Sequence, residues 1–230
     1  LGLVGYPLGH SWSPEWYQRK FIQEGLPHAE YRLFPLSGIG QFPQLLKDMP
    51  ELSGLNVTIP HKVNIIPYLD ELDEQAAAVG AVNTIRITRH GGKIYTKGYN
   101  TDVAGFLHSL PDRLPPGPVL ILGTGGAAKA ISYALSLKKI PFRFVSRQKS
   151  EGTMLSYHEL SAEIIKQHRL IINAPPLGMY PESDQYPPIP YNYISAENFL
   201  YDLIYNPPET SFLRKGKEMG AATMNGVQML

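Results

Sequence analysis

The chain has 230 residues, of which 43% are hydrophobic and 18% charged, with a net charge of +1 and no cysteine. That length suits one large domain or two small ones, and the composition is too apolar for a disordered chain. Near-neutral charge argues against a broad nucleic-acid footprint, and the lack of cysteine excludes disulfides, thiol catalysis and cysteine-ligated metals. No apolar run approaches the length of a membrane span, and no basic segment precedes an apolar one at the start. The cytoplasm is therefore the expected location.

Residues 1–5 read as a short buried strand. Ser13 and Pro14 suit the N-cap and first position of a helix running through Trp16, Tyr17, Lys20 and Phe21. Ser11 and Ser13 flank that helix start, where free N–H groups favour a carboxylate, although capping alone is the plainer explanation for Ser13. Residues 31–34 are predicted as a second strand, 41–49 as an amphipathic helix and 55–59 as a third strand. Pro60 cannot donate to a sheet ladder, so that strand must end there, with Ile59 held extended before it. Thr58 and Lys62 then stand at a buried strand's exit, where open α/β sheets bind ligands. Residues 71–79 read as a helix stopped by Gly80, and 81–87 as a strand. His90-Gly91-Gly92 is a hairpin turn into a returning strand over 93–99. Asn100-Thr101-Asp102 opens a helix reaching Leu110. The alternation predicts a mainly parallel α/β sheet with one antiparallel ribbon.

Prolines crowd residues 111–118, so the domain boundary is placed there, giving domains 1–110 and 111–230. Val119-Leu120-Ile121-Leu122 is an apolar run typical of a central parallel strand. It feeds into Gly123-Thr124-Gly125-Gly126-Ala127-Ala128, in which Gly123, Gly125 and Ala128 fit G-x-G-x-x-G/A. The first glycine allows a tight turn, the second lets backbone approach a pyrophosphate, and the small third residue lets helix meet strand. The next strand, 142–145, ends in Ser146-Arg147-Gln148-Lys149. An NAD enzyme usually carries a carboxylate at such a tip, whereas a guanidinium can hold the 2′-phosphate of NADP. NADP is therefore the expected cofactor; chance basic residues on a solvated loop are the plain alternative. A short helix at 164–165, a strand at 170–173, the segment 199–206, a helix at 210–219 and a strand at 221–224 complete this half.

Neither H-E-x-x-H nor G-x-S-x-G occurs, and His10, His28, His61 and His90 are scattered, so no metal site is expected. What remains is a set of polar groups at strand exits and helix starts: Ser11, Ser13, Thr58, Lys62, Asn83 and Asp102. Singly, each has a bland explanation: Asp102 meeting a helix dipole, Lys62 pointing into water, Asn83 serving a turn. Converging, they would bind a small polyhydroxylated acid, with the Lys62 ammonium at a reacting oxygen to stabilise charge and move a proton.

The sequence resembles the shikimate dehydrogenases along nearly its whole length. The shared markers are Gly5-Tyr6-Pro7 with Ser11-x-Ser13-Pro14, Asn56-Val57-Thr58-Ile59-Pro60-His61-Lys62, and Gly80-Ala81-Val82-Asn83-Thr84. Gly98-Tyr99-Asn100-Thr101-Asp102, the glycine loop, Pro176-Leu177-Gly178-Met179, Tyr201-Asp202 to Asn206-Pro207, and Asn225-Gly226 follow in order. The resemblance implies a substrate domain followed by a Rossmann-like NADP-binding domain, with a cleft between them. It implies NADPH-dependent reduction of 3-dehydroshikimate to shikimate, with Lys62 and Asp102 as the catalytic pair. Ser11, Ser13 and Tyr205 would hold the substrate carboxylate, and Thr58, Asn83 and Asp102 its hydroxyls. Gly123, Thr124, Gly125, Gly126, Ala127, Ser146, Arg147, Lys149, Leu203 and Gly226 match nucleotide-contacting positions, and Glu74 matches a position near the cofactor.

Three departures stand out, one being Ser146-Arg147-Gln148-Lys149, a loose version of the family's N-R-T pattern. Ala174 and Pro175 replace the hydroxyl residues usual in the family after Asn173. The family also continues past its Asn-Gly-x-x-Met-Leu motif into a helix with a substrate-contacting glutamine; Gln228 lies inside the motif and is not that residue. Rival readings are a quinate/shikimate dehydrogenase of broader specificity and a non-catalytic ligand sensor. The expected partners are small molecules, neither nucleic acid nor membrane, in a monomer or homodimer.

Overall fold

The apolar runs form two separate six-stranded sheets. The computed structural model describes residues 1–9, 11–147 and 154–229, and it divides into two units, Leu1–Thr101 and Asp102–Leu230.

In the first unit the strands are β1 (Gly2–Gly5), β2 (Arg32–Pro35), β3 (Gly54–Val57), β4 (Glu71–Leu72), β5 (Thr84–His90) and β6 (Lys93–Tyr99). Their order is β2-β1-β3-β5-β6-β4. β1 runs parallel to β2 and β3, while β5 is antiparallel to both β3 and β6. The expected mainly parallel sheet with one antiparallel ribbon is therefore present. The helices α1 (Ser13–Gln23), α2 (Phe42–Asp48) and α3 (Glu74–Val79) complete the layer architecture. Val4, Leu55, Val57, Ile85 and Ile87 pack with Phe42 and Leu46 of α2 and Ala76 of α3 into one buried cluster.

Several local boundaries differ from the sequence reading, among them the strand expected over 81–87, which spans Thr84–His90. β3 ends at Val57, before Pro60 is reached. The chain nevertheless stays tied to its neighbour, because the Thr58 N–H donates to the Val4 carbonyl at 2.8 Å and the Tyr6 N–H to the Ile59 carbonyl at 3.0 Å. The helix expected over 71–79 starts only at Glu74. Asp73 caps it, its Oδ1 accepting the Ala76 N–H at 2.7 Å, and the residues before it pair with β6 as the edge strand β4. At α1 the N-cap position belongs to Trp12, not Ser13, and the Ser13 N–H donates to the Ser11 Oγ at 3.3 Å.

The second unit holds α4 (Asp102–Ser109), β7 (Val119–Leu122), α5 (Gly126–Leu137), β8 (Phe142–Ser146), β9 (Leu155–Ser156), α6 (Ala162–Gln167), β10 (Leu170–Asn173), β11 (Phe199–Asp202), α7 (Ser211–Glu218) and β12 (Ala222–Met224). Every strand pair is parallel, in the order β12-β11-β10-β7-β8-β9. Counted from β7, that is the 3-2-1-4-5-6 order of dinucleotide-binding sheets, with the order reversing between β7 and β10. Helix α4, expected to close a domain ending at 110, falls in this unit. The reason is packing: Phe106 stacks on Tyr201 with ring centroids 5.5 Å apart, and the Ser109 and Tyr201 hydroxyls lie 2.5 Å apart. Among the described residues no helix is long and apolar enough to cross a membrane.

Candidate active site

In the first unit the chain reversal of β5 decides which groups meet. β1 and β3 end at the same edge at which β5 begins, with Asn56 opposite Thr84. The loop leaving β1 carries Ser11 and leads to Ser13, the first residue of α1; the loop leaving β3 carries Thr58 and Lys62; and the residue preceding β5 is Asn83. Thr58, Lys62 and Asn83 are thereby brought to one end of the sheet, and Ser11 and Ser13 follow on the segment that leaves β1 at that end. Gly5 makes this edge possible, since a Cβ there would collide with the Thr58 methyl and stand 2.9 Å from the Ile59 carbonyl oxygen. The Lys62 carbonyl accepts the Val82 N–H at 2.7 Å, which ties the lysine's backbone beside Asn83. Asn83 is itself fixed in the sheet: its carbonyl accepts the Val57 N–H at 2.8 Å and its N–H donates to the Tyr99 carbonyl at 3.0 Å. Its side chain is buried, with Oδ1 accepting the Thr101 N–H at 2.8 Å and Nδ2 donating to the Thr101 Oγ1 at 2.8 Å. Lys62 and Thr58 are half-buried. His61 takes no place at this edge by its ring, which is buried with Nε2 2.6 Å from the Leu36 carbonyl.

The remaining expected substrate groups, Asp102 and Tyr205, belong to the second unit, where Asp102 opens α4. Burial pushes the Tyr205 hydroxyl pKa up. Glu74 lies exposed in the first turn of α3 and belongs to the first unit, whereas the other expected cofactor residues belong to the second.

In the second unit the glycine loop follows β7 at the point where the strand order reverses. Gly123 adopts φ +86°, a conformation that disfavours any side chain, and its N–H donates to the Val145 carbonyl at 2.7 Å. Pro175, one of the departures, packs here: a Cβ on Gly123 would lie 2.9 Å from its Cγ. Gly125 precedes α5 in extended conformation without a side-chain cap, and a Cβ at that position would meet nothing within 4 Å. Thr124 and Gly125 are exposed, Gly126 and Ala127 half-buried, and Ala128 is buried against the sheet. An anion therefore has room to reach the N–H groups that open α5. Ser146 ends β8 opposite Ser156, and exposed Arg147 follows it. Burial pushes the nearby Tyr157 hydroxyl up to about 12, partly offset by the Arg147 charge. Lys149 lies outside the described residues. Leu203 and Gly226 do meet: the Gly226 N–H donates to the Ile204 carbonyl at 3.0 Å, and a Cβ on Gly226 would collide with the Leu203 carbonyl oxygen.

One polar cluster carries no role in the sequence reading. At the ends of β10 and β11, the Asp202 Oδ1 accepts from the Asn173 Nδ2 at 2.9 Å and from the Ile204 N–H at 3.1 Å. Its Oδ2 accepts from the Thr210 Oγ1 at 2.6 Å. Burial outweighs these bonds and pushes the Asp202 carboxyl up to about 6. Two polar residues closing apolar strands, Asn173 and Asp202, are the signal that could find it. No group of three His, Asp or Glu suited to a metal occurs among the described residues.

Residues 3–85 match the family model of the shikimate dehydrogenase substrate binding domain, a span that includes Ser11, Ser13, Thr58, Lys62 and Asn83. A shikimate dehydrogenase (NADP(+)) of Methanococcus maripaludis is 38% identical, over 100% of this chain and 86% of that protein. The chain belongs to the shikimate dehydrogenase family. Solved shikimate dehydrogenases share its fold. One in complex with NADP+ gives a TM-score of 0.84 at 33% identity, covering 99% of this chain and 84% of that one. Another, from Thermus thermophilus in complex with NADP(H) and shikimate, gives 0.82 at 28% identity, covering 99% and 87%.

Proposed function

We propose that this shikimate dehydrogenase catalyses the NADP-dependent, reversible reduction of 3-dehydroshikimate to shikimate, in the shikimate pathway of aromatic amino acid biosynthesis. It is an oxidoreductase acting on a CH–OH group, working in the cytoplasm as a monomer or homodimer. The reading is supported by the shared strand ends from which Thr58, Lys62 and Asn83 emerge, with Ser11 and Ser13 on the segment leaving β1, in a chain of this family. The first unit, with Asp102 and Tyr205, serves the substrate, and the second serves NADP.

The residues present fit NADP. Open space at Gly125 admits a pyrophosphate to the backbone of Gly123, Thr124, Gly125, Gly126 and Ala127, and Arg147 supplies the basic strand tip that a 2′-phosphate requires. Ser146, Lys149, Leu203 and Gly226 would add further nucleotide contacts, and Glu74 would lie near the cofactor. NADPH, when bound, supplies the hydride. Ser11, Ser13 and Tyr205 offer hydroxyl donors to the substrate carboxylate. Thr58, Asn83 and Asp102 hold its hydroxyls and so fix the ring. Lys62 donates a hydrogen bond to the carbonyl oxygen, stabilises the negative charge that grows there, and passes its proton to the alkoxide; in the reverse direction it takes the proton back. Asp102, which opens α4, would be the other member of the catalytic pair.

The test follows NADPH formation from NADP+ with shikimate and with quinate, then repeats both with NAD+. Turnover confined to shikimate with NADP+ is expected. Comparable rates with quinate or NAD+ would favour the broader dehydrogenase, and binding without turnover would favour the sensor.

A further inference from the structure

Behind the Asn83 carboxamide lies a chain of hydrogen bonds that the mechanism leaves unused. Tyr17 of α1 and Tyr31, just ahead of β2, stack face to face with centroids 4.1 Å apart and rings 8° from parallel. Both hydroxyls donate to one acceptor, the Asn56 Oδ1, at 3.0 and 2.8 Å. The Asn56 Nδ2 donates in turn to the Thr84 Oγ1 at 3.3 Å, and the Thr84 hydroxyl donates to the Asn83 Oδ1 at 3.2 Å.

The direction of these bonds matters. A backbone N–H can only donate, so the atom 2.8 Å from the Thr101 nitrogen is the Asn83 oxygen. Two tyrosine hydroxyls turned on the Asn56 oxygen leave its N–H₂ facing Thr84. Thr84 accepts there and gives its own hydrogen to Asn83. The Asn83 oxygen thus accepts from Thr101 and Thr84, and its N–H₂, which gives one hydrogen to the Thr101 Oγ1 at 2.8 Å, is the side from which the residue donates. Burial pushes the Tyr17 hydroxyl pKa up, which keeps it a donor.

We propose that Tyr17, Tyr31, Asn56 and Thr84 form a positioning relay that holds the Asn83 carboxamide as a donor toward the substrate. The proposal rests on the reading of Asn83 as a substrate contact. Without the two tyrosine donors the Asn56 amide can turn over and take the Thr84 hydrogen for itself, leaving the Asn83 carboxamide held by Thr101 alone.

Three variants test this with shikimate and NADP+. Thr84→Val keeps the side-chain shape but cuts the relay. It should raise the KM for shikimate roughly fivefold, the scale of one net hydrogen bond, with kcat and the KM for NADP+ unchanged. Thr84→Ser restores the hydroxyl and should return the KM to the wild-type value. The double variant Tyr17→Phe/Tyr31→Phe should reproduce the Thr84→Val split from the far end of the chain. A lower Tm with an unmoved shikimate KM in both Thr84→Val and the tyrosine pair would show a purely structural network and overturn the relay. Asn83→Ala separates the two levels. If it leaves the shikimate KM unmoved, Asn83 is no substrate contact and the underlying reading fails; if it raises the KM while Thr84→Val does not, the relay alone fails.

Discussion

The two units bring different chemistry to the ends of their central strands. At the first sheet's strand ends the proposed working groups are side chains: hydroxyls, an amide and an ammonium, set by loops, by the start of α1 or by the start of β5. At the second sheet's edge they are mostly absences of side chains, with Gly123, Gly125 and Gly226 letting backbone come close to backbone or to a ligand. The contrast follows from what each must recognise. A small ring acid is distinguished by where its oxygens lie, and only side chains of different lengths can reach them separately. A pyrophosphate is the same in every dinucleotide, and a row of N–H groups at a helix start suffices.

If that division holds, changes on the two edges should fail in different ways. Lys62→Ala should show the largest effect, a fall in kcat on the order of 10³ with shikimate binding largely kept, because proton transfer and charge stabilisation are lost together. Equal loss of binding, measured by calorimetry, would recast Lys62 as an anchor. Arg147→Ala should raise the KM for NADP+ by roughly thirtyfold, the scale of lost hydrogen bonds to a charged group, and leave NAD+ nearly unaffected. An equal change for both cofactors would remove Arg147 from the 2′-phosphate. Gly125→Ala sharpens the comparison further. The structure has room for the methyl, so the Tm should not move, yet the Kd for NADP+ should rise about tenfold because the methyl occupies the phosphate's approach. A lowered Tm with unchanged affinity would mean that the glycine serves the fold.

The smallest kinetic effect is expected at Asp202, which contributes through stability. Its carboxyl titrates near 6 when folded against 3.8 for the free group, so the native state holds the proton more tightly. Stability from this group is fully present below pH 3.8 and is lost as pH rises through 6, by on the order of 2–3 kcal/mol. Asp202→Asn should flatten the wild-type decline in unfolding free energy between about pH 4 and 6, read by urea titration. A decline that persists in the variant would assign it to other carboxylates.

Much of this architecture is legible in the residues, for identifiable reasons. The apolar runs of β7 and β10, the glycine loop and the Gly80 stop each announce themselves locally. The paired strands β4 and β9, two residues each, carry no periodic signal and escape a reading of the sequence. Asn56 is visible only as part of a motif, because its tyrosine partners lie 39 and 25 residues away and only the register of the folded sheet brings them together. Asp73 is hidden as a cap because the apolar pattern around it suggests a longer helix. The placement of α4 in the second unit depends on Tyr201, far along the chain, which no local pattern foretells.

The β5–β6 hairpin also has a practical consequence. Because β5 begins at the ligand edge, its turn at Gly91-Gly92 sits at the opposite end, seven residues away along the strand, a distance of about 24 Å. Both glycines are exposed and have open space around them. A fluorophore attachment site or an epitope inserted between them would report on the enzyme from a position remote from Asn83, making this turn the natural handle for immobilisation or single-molecule work.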